Sequence, residues 1–556
     1  MKTTLRADAL LVLVALLQAQ EGERTGSSLR TEQATPGYTL FAPLQSGSTF
    51  LIDLAGDVVH EWKTELNPGN AVYLLPSGNL LRCVRVEDNA PFRGGGIGGR
   101  LQELTPDGGV VWDYSLAHET YHHHHDVEPL PNGNVLAIVW EALTPARALE
   151  LGRDPERVSS AGWWVDAVLE IEPVRPDGGK IVWRWSSADH LIQDLSEEYE
   201  GFGEVSQHPE RIDVNADHRE QPPESAAQRK QRAEMEAKMR ALGYVGGDGE
   251  EGEDEEGAVS TLRSQGGGGG SDWLHTNSID YDPEHDLIAL SVRTLGEVWV
   301  IDHSTTSAQA ASDRGGRFGR GGGLLYRWGN PRNYGRGGDG DRQLFGQHDA
   351  TFVDGAGDTP NLLVFNNGSG RPGDTNWSSV VEIALPFDPE TGFHREEKSA
   401  FGPAAPVWTY SAPNKTDFYS SFISGAQRLA GGNTLIVSGA QGRLFEVTPS
   451  GEIVWEYLNP HGGDLRSGGS GGPKRRGPPP GGPGGGEGPR RTPRGGDGPA
   501  GGPPRDGPPP ERGPGDGPPE GRGAGGHRDM APGAMFRALR LSPDDPGIRA
   551  LLGAGR

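Results

Sequence analysis

A short phrase recurs six times along this chain: two apolar residues, an aromatic-biased position, a polar residue, then Trp or Tyr. The copies span Val58–Trp62, Val110–Tyr114, Ile181–Trp185, Leu324–Trp328, Pro406–Tyr410 (where Pro replaces the first apolar residue) and Ile453–Tyr457. Each reads as a strand with one apolar face. No single strand unit buries that face alone, so the copies must stack against one another. Their spacing is irregular, which excludes a solenoid of fixed repeat. It fits a β-propeller whose blades carry insertions of different lengths.

Upstream segments complete each unit. Leu75–Leu81, Leu130–Leu136 and Leu429–Leu435 share a pattern of strand, two-residue turn rich in Asn and Gly, and strand, and such turns need positive φ. A third strand follows, as in Leu101–Leu104, Val168–Ile171, Val298–Ile301, Val380–Ile383 and Leu444–Val447. Four strands make one blade. The first unit offers only Tyr38–Phe41, Thr49–Ile52 and Val58–Trp62. Its missing strand is expected from Met535–Leu541, which would close the ring and remove an exposed sheet edge.

The formal net charge of −25 excludes general nucleic-acid binding, which needs a basic surface. Acid is locally concentrated in the run 249–256, which reads as a solvated tract. The single cysteine, Cys83, forbids an intrachain disulfide and sits in an apolar strand, so it reads as core. The start of the chain pairs a basic tip with a short apolar stretch from Ala9 to Leu17, the pattern of a secretory signal. No other apolar run is long enough to span a bilayer. The expected localisation is therefore secreted or periplasmic, without stable membrane insertion once the signal is cleaved.

The expected organisation is a signal peptide over 1–22, a first propeller part over 36–210, and a charged insert over 211–270. A second propeller part covers 271–464, a disordered Gly/Pro/Arg linker 465–529, and a C-terminal segment 530–556 carries the ring-closing strand. Within the insert, Ser225–Leu242 is rich in good helix formers, with Met235, Met239 and Leu242 as a thin apolar stripe. It reads as a surface helix packing on a blade. The linker has almost no apolar side chain and cannot form a core. The short Arg/Gly stretch Arg314–Gly323 has a similar composition.

Aligning the units on their opening strands places His125, His275 and His348 at one register, with Asn70 and Ser424 as the equivalents in other blades. The innermost strand of each blade lines the central channel. Three imidazoles at matched register should therefore converge near one mouth. Arg293 lies on the next strand of the His275 unit, and Asn277 shares the strand face of His275. A lone histidine is more often structural; the matched set is what points to a site. The run His122–His124 reads as a surface loop and leaves open whether His124 or His125 faces inward. Histidine titrates near neutrality and can act as nucleophile, acid or metal ligand. A guanidinium suits sulfate or phosphate oxygens and opposes a bound cation.

Asp272-Trp273-Leu274-His275-Thr276-Asn277-Ser278, followed by Arg293, Gln347-His348-Asp349 and Ser424–Leu429, resembles the bacterial arylsulfate sulfotransferases. The resemblance covers most of the chain outside the insert and linker. It implies a six-bladed propeller. The expected fold class is thus all-β, a six-bladed β-propeller of four-stranded antiparallel blades with a helical and acidic insert and a disordered Pro/Gly linker. It also implies transfer of a sulfo group from a phenolic sulfate ester to a phenol, without a nucleotide sulfate donor, other cofactor or metal. His348 would be the transiently sulfated nucleophile. His275, Asn277, Arg293 and His125 would hold the sulfo oxygens, His275 would also protonate the leaving phenolate, and Ser424 would supply a hydroxyl contact. The chain departs from the family in its acidic insert, its linker and its lack of a disulfide. The rival readings are a metal-dependent hydrolase using the three histidines and a secreted, non-catalytic binding propeller. A quinone-dependent dehydrogenase propeller would need more blades and a calcium site, neither of which the sequence offers.

Overall fold

The computed structural model describes residues 26–86, 89, 92–218, 225–241, 271–355, 359–462 and 533–553. Six antiparallel sheets form the blades of a β-propeller. From the inner strand outward, blade 1 is Met535–Leu541, Tyr38–Pro43, Ser48–Ile52 and Val58–Lys63; blade 2 is Pro68–Leu74, Leu80–Arg85, Gly99–Leu104 and Val110–Ser115. Blade 3 is Tyr121–Pro129, Val135–Leu143, Trp163–Val174 and Gly178–Ser186; blade 4 is Thr276–Asp282, Leu287–Val292, Glu297–Asp302 and Tyr326–Trp328. Blade 5 is His348–Asp354, Pro360–Asn366, Ser379–Ala384 and Trp408–Tyr410; blade 6 is Gly425–Arg428, Thr434–Ser438, Arg443–Val447 and Ile453–Leu458. The closing strand pairs as expected, Tyr38 with Leu541 and Phe41 with Ala538. Gly26–Arg30 adds an unforeseen fifth strand outside blade 6, pairing with its recurring phrase.

The third position of that phrase explains the repeat. In every copy its polar atom donates to the turn between the third and fourth strands of the next blade. His60 Nε2 meets the Pro106 carbonyl at 2.8 Å, and Trp112 Nε1 donates to Gly178 at 2.7 Å. Trp183 Nε1 donates to Thr305 Oγ1 at 3.1 Å, and Tyr326 Oη to Gly402 at 2.8 Å. Trp408 Nε1 reaches Pro449 at 2.9 Å, and Trp455 Nε1 reaches Leu54 at 2.9 Å, from the last blade to the first. Each outer ring thus lies at an inter-blade seam while its polar edge satisfies a turn carbonyl or, at Trp183, a turn hydroxyl, worth about 1 kcal/mol per bond beyond the burial.

A second device recurs above the hairpin turns. Asn79, Asn134, Asn361 and Asn433 donate through Nδ2 to Glu103, Glu170, Glu382 and Glu446 on the third strand of their own blade. Each glutamate also binds a cation of the following blade: Arg175, His303, Arg428 and Arg540 respectively. The turns themselves differ from the expected two-residue form. Leu75 N donates to Asn79 O and Gly78 N to Leu75 O, so Pro76-Ser77-Gly78 is a three-residue loop with Gly78 at φ 83°. The loops at Pro131–Gly133 and Ala430–Gly432 close in the same way. The third residue must be left-handed, which glycine permits.

The stretch Arg314–Gly323 is not linker-like. Gly321 N donates to Gly315 O, Gly322 N to Ser312 O, and Arg317 reaches the Pro389 carbonyl. Cys83 is fully buried, and burial pushes its thiol up, as a core position requires. The insert helix spans Ala226–Ala241. The proposed signal, the acidic run and the Gly/Pro/Arg linker lie outside the described residues, as does Leu242. Among the described residues no helix is long and apolar enough to cross a membrane.

Candidate active site at the channel mouth

A local backbone device aims the site residues. In blades 2 to 6, one residue in or just before the inner strand lies in the left-handed region. That residue is Asn70 in blade 2, His125 in blade 3 and His275 in blade 4, at φ of 93°, 55° and 51°. In blade 5 it is Asp349, one past His348, and in blade 6 it is Ile423, one before Ser424. The single register predicted for all five therefore holds for three and slips by one residue in the other two. Bulges of this kind re-aim side chains, and here they turn neighbouring positions toward a common point.

His125 and His275 meet edge to face with ring centroids 4.5 Å apart. His348 lies near enough for its charge, with that of Arg293, to bear on His125. Burial first, then the Arg293 guanidinium, pulls His348 down to about 3. Burial and the neighbouring imidazoles hold His125 well below its ordinary value. The sequence-predicted set of His125, His275, His348 and Arg293 is thus one electrostatic cluster. Asn277 is fully buried beside it, donating one N–H to the Gln347 carbonyl at 2.8 Å and keeping a second N–H on the same nitrogen. Ser424 is buried, and its hydroxyl donates to the carbonyl of Ile423.

The tautomers follow from the partners. Asn367 Nδ2 donates to the Ser420 carbonyl at 2.8 Å, which fixes Oδ1 toward His348 Nδ1 at 2.7 Å. Oδ1 only accepts, so Nδ1 carries the proton and Nε2 presents a lone pair. His275 Nδ1 sits 2.6 Å from Asp272 Oδ2, and Trp140 Nε1 donates to the other carboxylate oxygen at 3.1 Å. Burial alone would raise Asp272, but attraction to His275 outweighs it and holds the carboxyl below its usual range. His124 Nδ1 meets His125 Nδ1 at 2.8 Å, while its Nε2 lies 3.5 Å from Asp166 and its ring stacks on Trp140 at 4.2 Å.

The run His122–His124 is therefore not a surface loop; these three residues and His125 are fully buried in the inner strand of blade 3. His125 faces the cluster and His124 stands behind it. The expectation failed because four consecutive polar residues carry no alternation, and the break in pairing hides which way each points.

Sequence reasoning missed two neighbours of the imidazoles on the closing strand. Phe536, on the closing strand, lies 6.1 Å from His125 and 6.5 Å from His348, centroid to centroid. Its neighbour Arg537 is buried and binds Asp126 of blade 3, Asp349 of blade 5 at 3.3 Å, and Tyr73 of blade 2 at 3.0 Å. Burial works against the guanidinium, yet the two carboxylates hold it firmly protonated. Asp126 and Asp349 directly follow His125 and His348, so one cation ties three blades together beneath the imidazoles. Asp272 was legible three residues before His275. Nothing local marks Asn367, Phe536 or Arg537.

Residues 41–457 match the family model described as Arylsulfotransferase (ASST). Solved structures with a similar chain course include a protein of unknown function from Bacteroides caccae (11% identity, 76% of this chain and 94% of that one, TM-score 0.37). Others are the β-propeller domain of Cps50 (Swd1) from Myceliophteria thermophila (10%, 79% and 91%, TM-score 0.33) and virginiamycin B lyase from Staphylococcus aureus (9%, 78% and 88%, TM-score 0.30). At those scores they bear on no residue of this site. No curated protein matches the chain significantly.

Proposed function

This chain belongs to the arylsulfotransferase family, and from that premise we propose that it moves a sulfo group from an aryl sulfate to a phenol through a sulfated His348. The observation that carries this reading is the state of His348: neutral, with Nδ1 bound to Asn367 and Nε2 bearing the lone pair, beside a guanidinium suited to an oxyanion.

In the first half-reaction His348 Nε2 attacks sulfur. The N–S bond forms, the bond from sulfur to the aryl oxygen breaks, and the electron pair leaves with the phenolate. His275, held through Nδ1 by Asp272, gives that oxygen a proton from Nε2. In the second, an acceptor phenol returns a proton to His275 while its oxygen attacks sulfur and releases His348. One nucleophile serves donor and acceptor in turn, and ping-pong kinetics follow. Arg293, His125 and the remaining N–H of Asn277 meet the sulfo oxygens, whose charge is stabilised by donors already in place. Burial strengthens those contacts by excluding water. Arg293 also weighs against a metal-hydrolase reading, since its charge already presses on two of the three imidazoles. With 1–22 as a signal, the reaction takes place outside the cytoplasm.

The test is a chromogenic aryl sulfate with a phenol, alongside His348→Ala. Wild type should release the chromophore and form the new ester, and the variant should do neither. Intact mass after donor alone should rise by one sulfo group in wild type only. Release that survives His348→Ala would refute the role given to that residue.

A further inference from the structure

His125, Asn277, His348, His275 and Arg293 are 0%, 0%, 2%, 4% and 8% exposed, so the site is covered. The cover can be traced. Each inner strand begins at the mouth where the imidazoles cluster. Phe422 and Ile423 lie just before the inner strand of blade 6, Ala534 just before that of blade 1, and Leu44 just after the second strand of blade 1. These side chains and Phe536 form one apolar cluster with Met235 and Met239 of the insert helix. Phe536 is the ring packed beside both His125 and His348.

The same helix is polar elsewhere. At its start Ser225 Oγ donates to the Asp374 carbonyl, Gln228 Nε2 to the Arg371 carbonyl, and Gln231 Oε1 accepts from Asn376 N. All three partners belong to the segment joining the second and third strands of blade 5. The helix is thus hung by hydrogen bonds from blade 5 and lays two thioethers over the apolar ring at the mouth. Ala226, Ala227, Arg229, Lys230, Ala233 and Glu234 face solvent. Two flexible thioethers adapt to flat rings of different outline and make favourable sulfur–aromatic contacts.

We infer that Met235 and Met239 form the wall that receives the aryl group of the substrate, with the insert helix shifting at its Met end to admit it. This rests on the sulfotransfer reading for the identity of the ligand, an aryl sulfate or phenol. It assigns the insert a part in substrate choice that the propeller blades leave open.

Two measurements test it. In the first, Met235→Ala/Met239→Ala is compared with wild type and with Glu234→Gln on the solvent face, using 4-nitrophenyl sulfate and a bulkier two-ring aryl sulfate. The double variant should raise KM about tenfold for the small donor, as the loss of two sulfur–aromatic contacts implies. The larger donor, with room opened for it, should lose less, and Glu234→Gln should match wild type. A KM unchanged within twofold for both donors would overturn the inference. In the second, which needs neither the variant to fold nor any turnover, wild-type protein is photolabelled with 4-azidophenyl sulfate and mapped by peptide mass spectrometry. Label should fall on the peptide carrying Met235 and Met239, and excess phenol should suppress it. Turnover with label only elsewhere refutes the wall. A labelled helix without turnover refutes sulfotransfer and leaves the aryl wall standing.

Discussion

Replacing Asn367 by Leu separates the positioning of His348 from its chemistry. The side chains are similar in size, so the packing around residue 367 is largely kept. What is lost is a two-bond bridge: Ser420 O to Asn367 Nδ2 at 2.8 Å, and Asn367 Oδ1 to His348 Nδ1 at 2.7 Å. Losing the Asn367 partner costs the buried His348 Nδ1 about 1–3 kcal/mol, while the Ser420 carbonyl keeps the long bond from Ser378 Oγ at 3.4 Å. The imidazole can relieve its share by moving the proton to Nε2, which removes the lone pair that attacks sulfur. A penalty of about 1.4–2.8 kcal/mol at the nucleophile corresponds to a ten- to hundredfold loss. We expect kcat for sulfation to fall by that factor, KM for the aryl sulfate to change less than threefold, and urea stability to drop by about 2 kcal/mol. Rapid-mixing measurement of the first burst of phenolate reads the sulfation step directly. Nitrogen NMR of the imidazole should show the proton redistributed between Nδ1 and Nε2. A burst rate equal to that of wild type, with the stability loss present, would refute the tautomer argument and leave Asn367 a structural residue only.

Other perturbations have defined outcomes. His348 falls from 6.5 to about 3 on folding, so between those values the unfolded chain binds more protons. Its contribution to stability is present above pH 6.5 and is lost as pH drops toward 3. Urea titrations should therefore show His348→Asn flattening the pH dependence in that window by up to about 1.4 kcal/mol per pH unit; an unchanged slope would contradict the buried neutral state. Arg537→Met strands Asp126 and Asp349 and should cost about 3–5 kcal/mol, with much of it restored when both carboxylates become Asn. Failure of that rescue would show that the guanidinium is not their counter-charge. Trp455→Phe leaves the Leu54 carbonyl unpaired at the seam between the last blade and the first, costing about 1–3 kcal/mol. Trp408→Phe, at a more exposed bond, should cost about 0.5 kcal/mol. Equal losses by chemical denaturation would argue against a seam set by burial.

The blades were legible because their signal is local. An aromatic at the third place of the phrase must fill a seam and reach a turn, and that demand repeats in the chain as it repeats in space. The closing strand Met535–Leu541 could be named because the first unit lacked a partner for Tyr38–Phe41. His125, His275 and His348 were found from their matched register and Arg293 from its place on the strand after His275, and the structure gathers them. The bulges were not legible. Asp349 and Ile423, rather than His348 and Ser424, take the left-handed conformation, and no residue type announces that shift. Long-range partners were hidden for a different reason: Asn367 acts through Ser420, and Arg537 through Asp126 and Asp349, pairings fixed only when the ring has closed.

The last inner strand serves the ring and the site together. Phe536 and Arg537 come from the last described strand, yet they pack against residues of blades 3 and 5. Without Met535–Leu541, blade 1 lacks its inner strand, and the imidazoles lack both the ring beside them and the cation that neutralises Asp126 and Asp349. Competence therefore waits on this one strand, and a chain clipped before Met535 would lose the partner of Tyr38–Pro43 together with Phe536 and Arg537.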